Sequence, residues 1–156
     1  MANIAIIGAG FFGTTIAIRI KEKYPNFNID LFDKNKEILF GTSGKNQFRC
    51  HQGYHYPRSI KTFIECASSL NSFDKMFSKT YMKSNNFYAI SKYNSMTSFD
   101  DYIKYLDNVG LFYKIQNNPL LNKNMIDGIV KVKEKILNIN KARKILNKSL
   151  INHNIN

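Results

Sequence analysis

The chain has no tryptophan, two cysteines, three prolines and eleven acidic residues against twenty-three lysines and arginines. Cys50 and Cys66 are too few and too far apart for a disulfide framework or a zinc site, which points to a reducing, cytoplasmic setting. No apolar run is long enough to make a transmembrane segment. The most hydrophobic stretch, Ile4 to Ile18, has no basic residue before it, is broken by glycines and runs into no small-residue cleavage site. It therefore reads as a buried strand and helix start rather than a leader peptide. At 44% hydrophobic and 13% aromatic residues, the composition excludes a disordered tail. A length of 156 residues suffices for one domain or somewhat more and leaves a complete two-domain enzyme crowded.

The shortage of acids produces a net charge of +12. Such a surplus suits phosphate-rich partners where the cations cluster. Here lysines are scattered along the chain, the arginines are just Arg19, Arg49, Arg58 and Arg143, and Lys, Asn and Ile are abundant together, as A- and T-rich codons would produce. The densest stretch, Lys131 to Lys148, alternates with apolar residues at helical spacing and reads as a solvated helix face. No nucleic-acid partner is expected.

The N-terminus carries the first functional signal. IAIIGAGFFG runs from Ile4, Ala5, Ile6 and Ile7 into Gly8, Gly10 and Gly13, the G-x-G-x-x-G spacing of a strand, turn and helix that bind a dinucleotide. Gly8 permits a tight turn, Gly10 lets a pyrophosphate approach the backbone, and Gly13 lets the helix pack on the strand. The phosphates would then face unpaired amides at the helix start. A second predicted strand, Asn28 to Phe32, delivers Asp33 twenty residues beyond Gly13, where a carboxylate can accept hydrogen bonds from ribose hydroxyls.

The remaining pattern is that of an α/β chain. A helix from Phe11 to Lys23 should end before Pro25, with an apolar run through Ile16, Ala17 and Ile20. Residues 34–59 are rich in turn formers and read as loop with short extended pieces. From Pro57 onward, Ile60, Phe63, Ile64, Ala67 and Leu70 recur at three- and four-residue steps, an amphipathic helix facing a core. Phe87 to Ile90, Leu111 to Ile115 and Ile126 to Val132 read as strands. Ser98 with Asp101 starts a helix carrying Tyr102, Ile103 and Leu106, which Gly110 ends. Asn140 is placed as the cap of a last helix, Lys141 to Leu150, whose inner face is Ala142, Ile145, Leu146 and Leu150. A doubly wound site needs at least three parallel strands, and the first fifty residues offer two. The sheet is therefore expected to be incomplete and the chain to be a portion of a larger fold, with a second polypeptide as a candidate to complete it.

The second informative segment is GTSGKNQFRCHQGYHYPRS, residues 41–59. Gly41, Thr42, Ser43 and Gly44 offer small side chains, hydroxyls and amides to which a phosphate or flavin could lie close. Arg49, His51, Tyr54, His55, Tyr56 and Arg58 concentrate cations and aromatics within ten residues. Each also has a plainer reading. Thr-Ser-Gly is ordinary turn chemistry, His51 and His55 could be satisfied loop residues, and Arg58 a solvated side chain before the next helix. Tyr54 and Tyr56 alternate with His55 at a strand-like period, with one face packed.

Together, GAGFFG, the Asp33-Lys34 pair and residues 41–59 resemble the FAD-dependent oxidoreductases of the D-amino-acid oxidase superfamily, well over residues 1–70. The pattern E-K-x-x-N-x-x-K-x-R from Glu134 fits too, with little specificity. The resemblance implies a Rossmann-like FAD-binding βαβ unit over residues 1–80, part of a smaller α+β substrate-side domain over 81–135, and a helix leading back over 136–156. It implies FAD contacts at Gly8, Gly10, Phe12, Gly13, Asp33, Lys34, Ser43 and Gly44, with His51 near the flavin ring. His51, His55 and Arg58 become the catalytic candidates, and Arg58 and Arg49 the cations for a carboxylate- or phosphate-bearing small substrate. The implied reaction is oxidation of an amine or hydroxyl carbon by hydride transfer to flavin. An NAD-binding dehydrogenase and a non-catalytic subunit of a split flavoprotein remain alternatives.

Overall fold

The computed structural model describes residues 2–156. Its elements run β1 (Asn3–Ile7), α1 (Phe11–Lys23), β2 (Asn28–Phe32), β3 (Arg49–Cys50) and α2 (Ile60–Phe77). They continue with β4 (Tyr81–Met82), β5 (Asn86–Ser91), α3 (Phe99–Asn108), β6 (Tyr113–Ile115), β7 (Ile126–Val132), β8 (Lys135–Leu137) and α4 (Ile139–Asn152). Two units result: residues up to Phe48 together with Leu137–Asn156, and the intervening Arg49–Ile136.

In the first unit β1 and β2 pair in parallel, with Asn3 opposite Asn28 and Ile7 opposite Phe32. α1 is the crossover between them, and its buried face is Thr14, Ala17 and Ile18, packed against α4. Ile16, expected on the inner run, is 48% exposed, because residues at i, i+3 and i+4 from Thr14 define the inward stripe and Ile16 falls outside it. α4 contributes buried Ala142, Leu146 and Leu150, the inner face expected from its period. Its cap is Asn138, not Asn140: the Asn138 side chain accepts the Lys141 N–H at 3.0 Å, so the helix starts two residues earlier than expected. Beyond α4, the Asn156 N–H bonds the Ile29 carbonyl at 3.2 Å and its carbonyl accepts the Leu31 N–H at 2.7 Å. That pair of bonds is one parallel rung beside β2, and the Asn156 side chain adds a bond to Asp30 at 2.9 Å.

The second unit holds two three-stranded sheets, β5–β7–β6 and β3–β8–β4. β5 and β6 both run antiparallel to β7. α3 packs on β7, and Tyr102, Tyr105 and Leu106 form a core with Tyr54, Val130 and Val132. Ser98 caps α3 by accepting the Asp101 N–H at 3.1 Å, and Gly110 leaves the helix at φ +68°. Leu111, expected to open this strand, lies outside it because its N–H closes back onto Leu106 at 3.0 Å, so β6 begins at Tyr113. α2 begins at Ile60, capped by Ser59, rather than at Pro57, which stands in the preceding turn. Its stripe also differs from expectation. Ile60 and Ile64 are 52% and 57% exposed, while Phe63, Cys66, Leu70, Phe73 and Phe77 turn inward, a stripe rotated by one position. Tyr54 to Tyr56 form a turn closed by Tyr56 N–H to the Gly53 carbonyl at 3.0 Å, not an extended stretch.

Candidate functional site

In the first unit the glycine turn is shaped by two requirements. Gly8 sits at φ +102°, a region side chains disfavour, with its N–H on the Phe32 carbonyl at 2.7 Å. A Cβ on Gly13 would lie 1.8 Å from the Gly8 carbonyl oxygen, so only glycine lets α1 start directly over the turn. Gly10 opens α1 without a side chain to cap it.

Ser43 reaches the same place from a short 3₁₀ turn, Thr42–Gly44. Its Oγ accepts the Phe11 N–H at 3.2 Å and would lie 3.0 Å from a Cβ on Gly10. Gly44 has a packing reason to be small, since a Cβ there would fall 2.1 Å from the Leu39 carbonyl oxygen.

Asp33 closes the site from the end of β2. Its Oδ2 accepts the Ala9 N–H at 2.8 Å, and Oδ1 accepts both the backbone and side-chain N–H of Asn35 at 2.8 Å. The Asn35 backbone N–H foremost, with that of Ala9, holds the carboxyl below its ordinary range. A carboxylate offers about four lone-pair sites, so Oδ2 retains one for a further donor. Phe12 is 86% exposed beside this turn, and Lys34 is exposed as well. The arrangement combines backbone amides, the positive end of α1 and an available carboxylate lone pair.

In the second unit His51 and His55 lie with ring centroids 5.7 Å apart. His55 is exposed and stands edge-on to Tyr56 at 5.3 Å. Arg58, also exposed, reaches the Met96 sulfur at 3.2 Å. The residue that sequence reasoning passed over is Glu134. Its side chain is 0% exposed and takes Arg49 Nη1 at 3.2 Å, the Tyr88 hydroxyl at 2.9 Å and His51 Nδ1 at 3.4 Å. The Arg49 guanidinium also lies 4.9 Å over the Tyr88 ring. Arg49, expected as a cation for substrate, therefore commits its charge to Glu134. Burial, then the adjacent carboxylate, pushes the Tyr88 hydroxyl well above its ordinary range, so it stays a donor. The sequence signal for Glu134 was a single acid among lysines at the end of an apolar strand, VKVKEKIL.

Tyrosines fix the turn that follows His51. Tyr105 donates to the Gly53 carbonyl at 2.8 Å and Tyr102 to the Tyr54 carbonyl at 2.9 Å, while Tyr54 donates to Phe112 at 2.7 Å. Nearby, Asp74 holds the Tyr81 hydroxyl and Lys135 Nζ, the latter at 2.7 Å. Burial pushes the Cys50 thiol up, which favours the neutral thiol over the thiolate. Among the described residues no group of histidine, cysteine and acidic side chains is placed to hold a metal, and no helix is long and apolar enough to cross a membrane.

The family model described as FAD dependent oxidoreductase matches residues 3–113. A FAD-dependent monooxygenase of Fusarium mangiferae is 28% identical over 142 residues, covering 90% of this chain and 38% of the relative. An L-2-hydroxyglutarate dehydrogenase of Indibacter alkaliphilus is 34% identical over 60 residues, 38% of this chain and 15% of the relative. Among solved structures, glycine oxidase from Geobacillus kaustophilus has a TM-score of 0.73 at 11% identity, covering 96% of this chain and 44% of that one. L-amino acid deaminase from Proteus vulgaris has a TM-score of 0.66 at 16% identity, covering 99% and 39%. The structural likenesses are likenesses of fold, and the chain spans less than half the length of each of these relatives.

Proposed function

The chain belongs to the family of FAD-dependent oxidoreductases, and we propose that it is the FAD-binding N-terminal portion of one that oxidises the amine or hydroxyl carbon of a small anionic substrate. The observation that carries this reading is the convergence of the bare glycine turn with Asp33 and Ser43. β1, α1 and β2 act as a Rossmann-like unit. Gly8, Gly10 and Gly13 keep the start of α1 bare of side chains, so that a pyrophosphate can approach the backbone there. The remaining lone pair of Asp33 accepts a ribose hydroxyl, and Ser43 and Gly44 border the same surface. Phe12 and Lys34 flank it.

The flavin, when bound, supplies the hydride acceptor. The chain's residues handle the proton: as the substrate carbon is oxidised, its hydroxyl or amino group releases a proton, which His51 takes up at Nε2. His55 and Arg58 offer polar and cationic groups to a substrate carboxylate or phosphate. Among the described residues β1 is paired on one side only, and Ile7 and Phe32 are 89% and 55% exposed. Further polypeptide, continuous or separate, is the natural cover for this edge.

Titration of the purified chain with FAD and with NADH, followed by quenching of cofactor fluorescence, tests the reading. FAD should bind more tightly, and D33A should weaken it about tenfold or more, as expected for loss of a charged hydrogen bond. Tighter NADH binding would favour a dehydrogenase instead. Failure to take up FAD, alone or with added polypeptide that covers the β1 edge, would defeat the flavoprotein reading.

A further inference from the structure

The second unit contains a buried carboxylate whose partners are only half explained by stability. Glu134 leaves β7 and enters β8 with its side chain 0% exposed. Oε2 is satisfied by Arg49 and Tyr88 at 3.2 and 2.9 Å. Oε1 is buried, has no hydrogen-bond partner, and lies 3.4 Å from Nδ1 of His51. That nitrogen is likewise buried without another partner. The approach is an ion-pair contact whose alignment falls short of a full hydrogen bond.

The protonation state of the imidazole decides whether the contact attracts or repels. A lone pair on Nδ1 would face a carboxylate lone pair, which is unfavourable in a buried setting. A proton on Nδ1 makes the contact attractive. In the neutral ring that proton leaves Nε2 bare. Nδ1 is buried, yet the His51 side chain is 38% exposed, so the exposed area lies on the remainder of the side chain, which includes Nε2. The backbone on both sides of the ring is also held. Cys50 pairs with Lys135 across β3 and β8, and the Tyr105 and Tyr102 hydroxyls hold the Gly53 and Tyr54 carbonyls.

We propose that Glu134 is a positioning residue that fixes His51 as the Nδ1–H tautomer, with Nε2 turned outward as a proton acceptor. This rests on the reading of His51 as the residue that takes the substrate proton. It deepens that reading by naming what sets the tautomer. Arg49 and Tyr88 have a separate task on Oε2: they balance and hydrogen-bond the carboxylate so that it can stay ionised while buried. His55 and Tyr56, the other polar rings beside His51, lie 5.7 Å from it between centroids and leave Nδ1 to Glu134.

Long-range proton–nitrogen correlation spectra of the ¹⁵N-labelled 156-residue chain, recorded without cofactor at a pH where histidines are neutral, test this directly. Wild-type His51 should be protonated at Nδ1, with exposed His55 as the internal comparison at predominantly Nε2–H. R49M/E134L removes the acceptor without stranding a buried charge and should shift His51 to predominantly Nε2–H. Wild-type His51 protonated at Nε2 would overturn the proposal, and so would Nδ1–H persisting in the folded double variant. The wild-type spectrum decides even if the double variant does not fold. Because no cofactor is present, the result is separable from FAD binding: Nδ1–H without FAD uptake sinks the flavoprotein reading alone, and Nε2–H with FAD uptake sinks the tautomer proposal alone.

Discussion

The first unit builds its site from main-chain groups, whereas the second builds its own from side chains. Around Gly8 and Gly13 the determinants are a left-handed turn, a carbonyl 1.8 Å from where a Cβ would stand, and two backbone N–H groups bonded to Asp33 and Ser43. Around Glu134 they are a buried charge, a guanidinium, an imidazole and a ring of tyrosines. Backbone sites depend on residues that are small, and side-chain sites on residues that are paired. The two should therefore fail differently when altered. Eight of the nine tyrosines lie within Arg49–Ile136, so the tyrosine near-ultraviolet signal reports the second unit while far-ultraviolet circular dichroism reports both.

The largest effect is expected from E134A. Removing one partner of a buried ion pair strands the other, which costs about 3–5 kcal/mol, read as a lowered urea midpoint in the tyrosine signal. A change below about 1 kcal/mol would mean that Arg49 finds water, and the contrast between the units would weaken accordingly. Next come L106A and L146A, at positions 0% exposed in the second and first units. Each should cost about 2–5 kcal/mol by leaving a cavity. L106A should move the tyrosine transition more than L146A does, and equal shifts would show that the two units unfold together.

A smaller effect, about 1 kcal/mol, is expected for S98A through loss of the α3 cap, measured by the same denaturation. The smallest concerns acid. The Asn35 and Ala9 amides favour the ionised Asp33 carboxylate, so its folded-state value lies below the ordinary 3.8. Its contribution is present above that ordinary value and is lost as pH falls through the folded one. Wild type should lose stability by this route below pH 3.8, and D33N should lack that part of the acid limb.

The first unit was largely legible because its determinants are local. Gly8 to Asp33 span one strand, helix and strand, and their spacing is tied to backbone geometry. The boundaries of α1 and β2 match the expected ones residue for residue. In the second unit β3, β4 and β8 are two or three residues long, too short to show a period. The Arg49–Glu134 pair joins residues 85 apart, a separation no local pattern encodes. α2 shows an intermediate case: its helical period was visible, but Phe63 and Ile64 are equally apolar, and only packing against Tyr105 at 6.5 Å shows which of the two turns inward.

From residue order alone came the glycine turn, the acid at the end of β2 and the family to which these belong, since each is written within a few dozen residues and rests on what a Cβ or a carboxylate permits. Tertiary structure settled which charges are free. Arg49 looked available and is committed to Glu134, whose side chain is fully buried. Burial and pairing are properties of chain segments brought together from far apart, and a carboxylate changes from solvated to structural only when that folding removes its water.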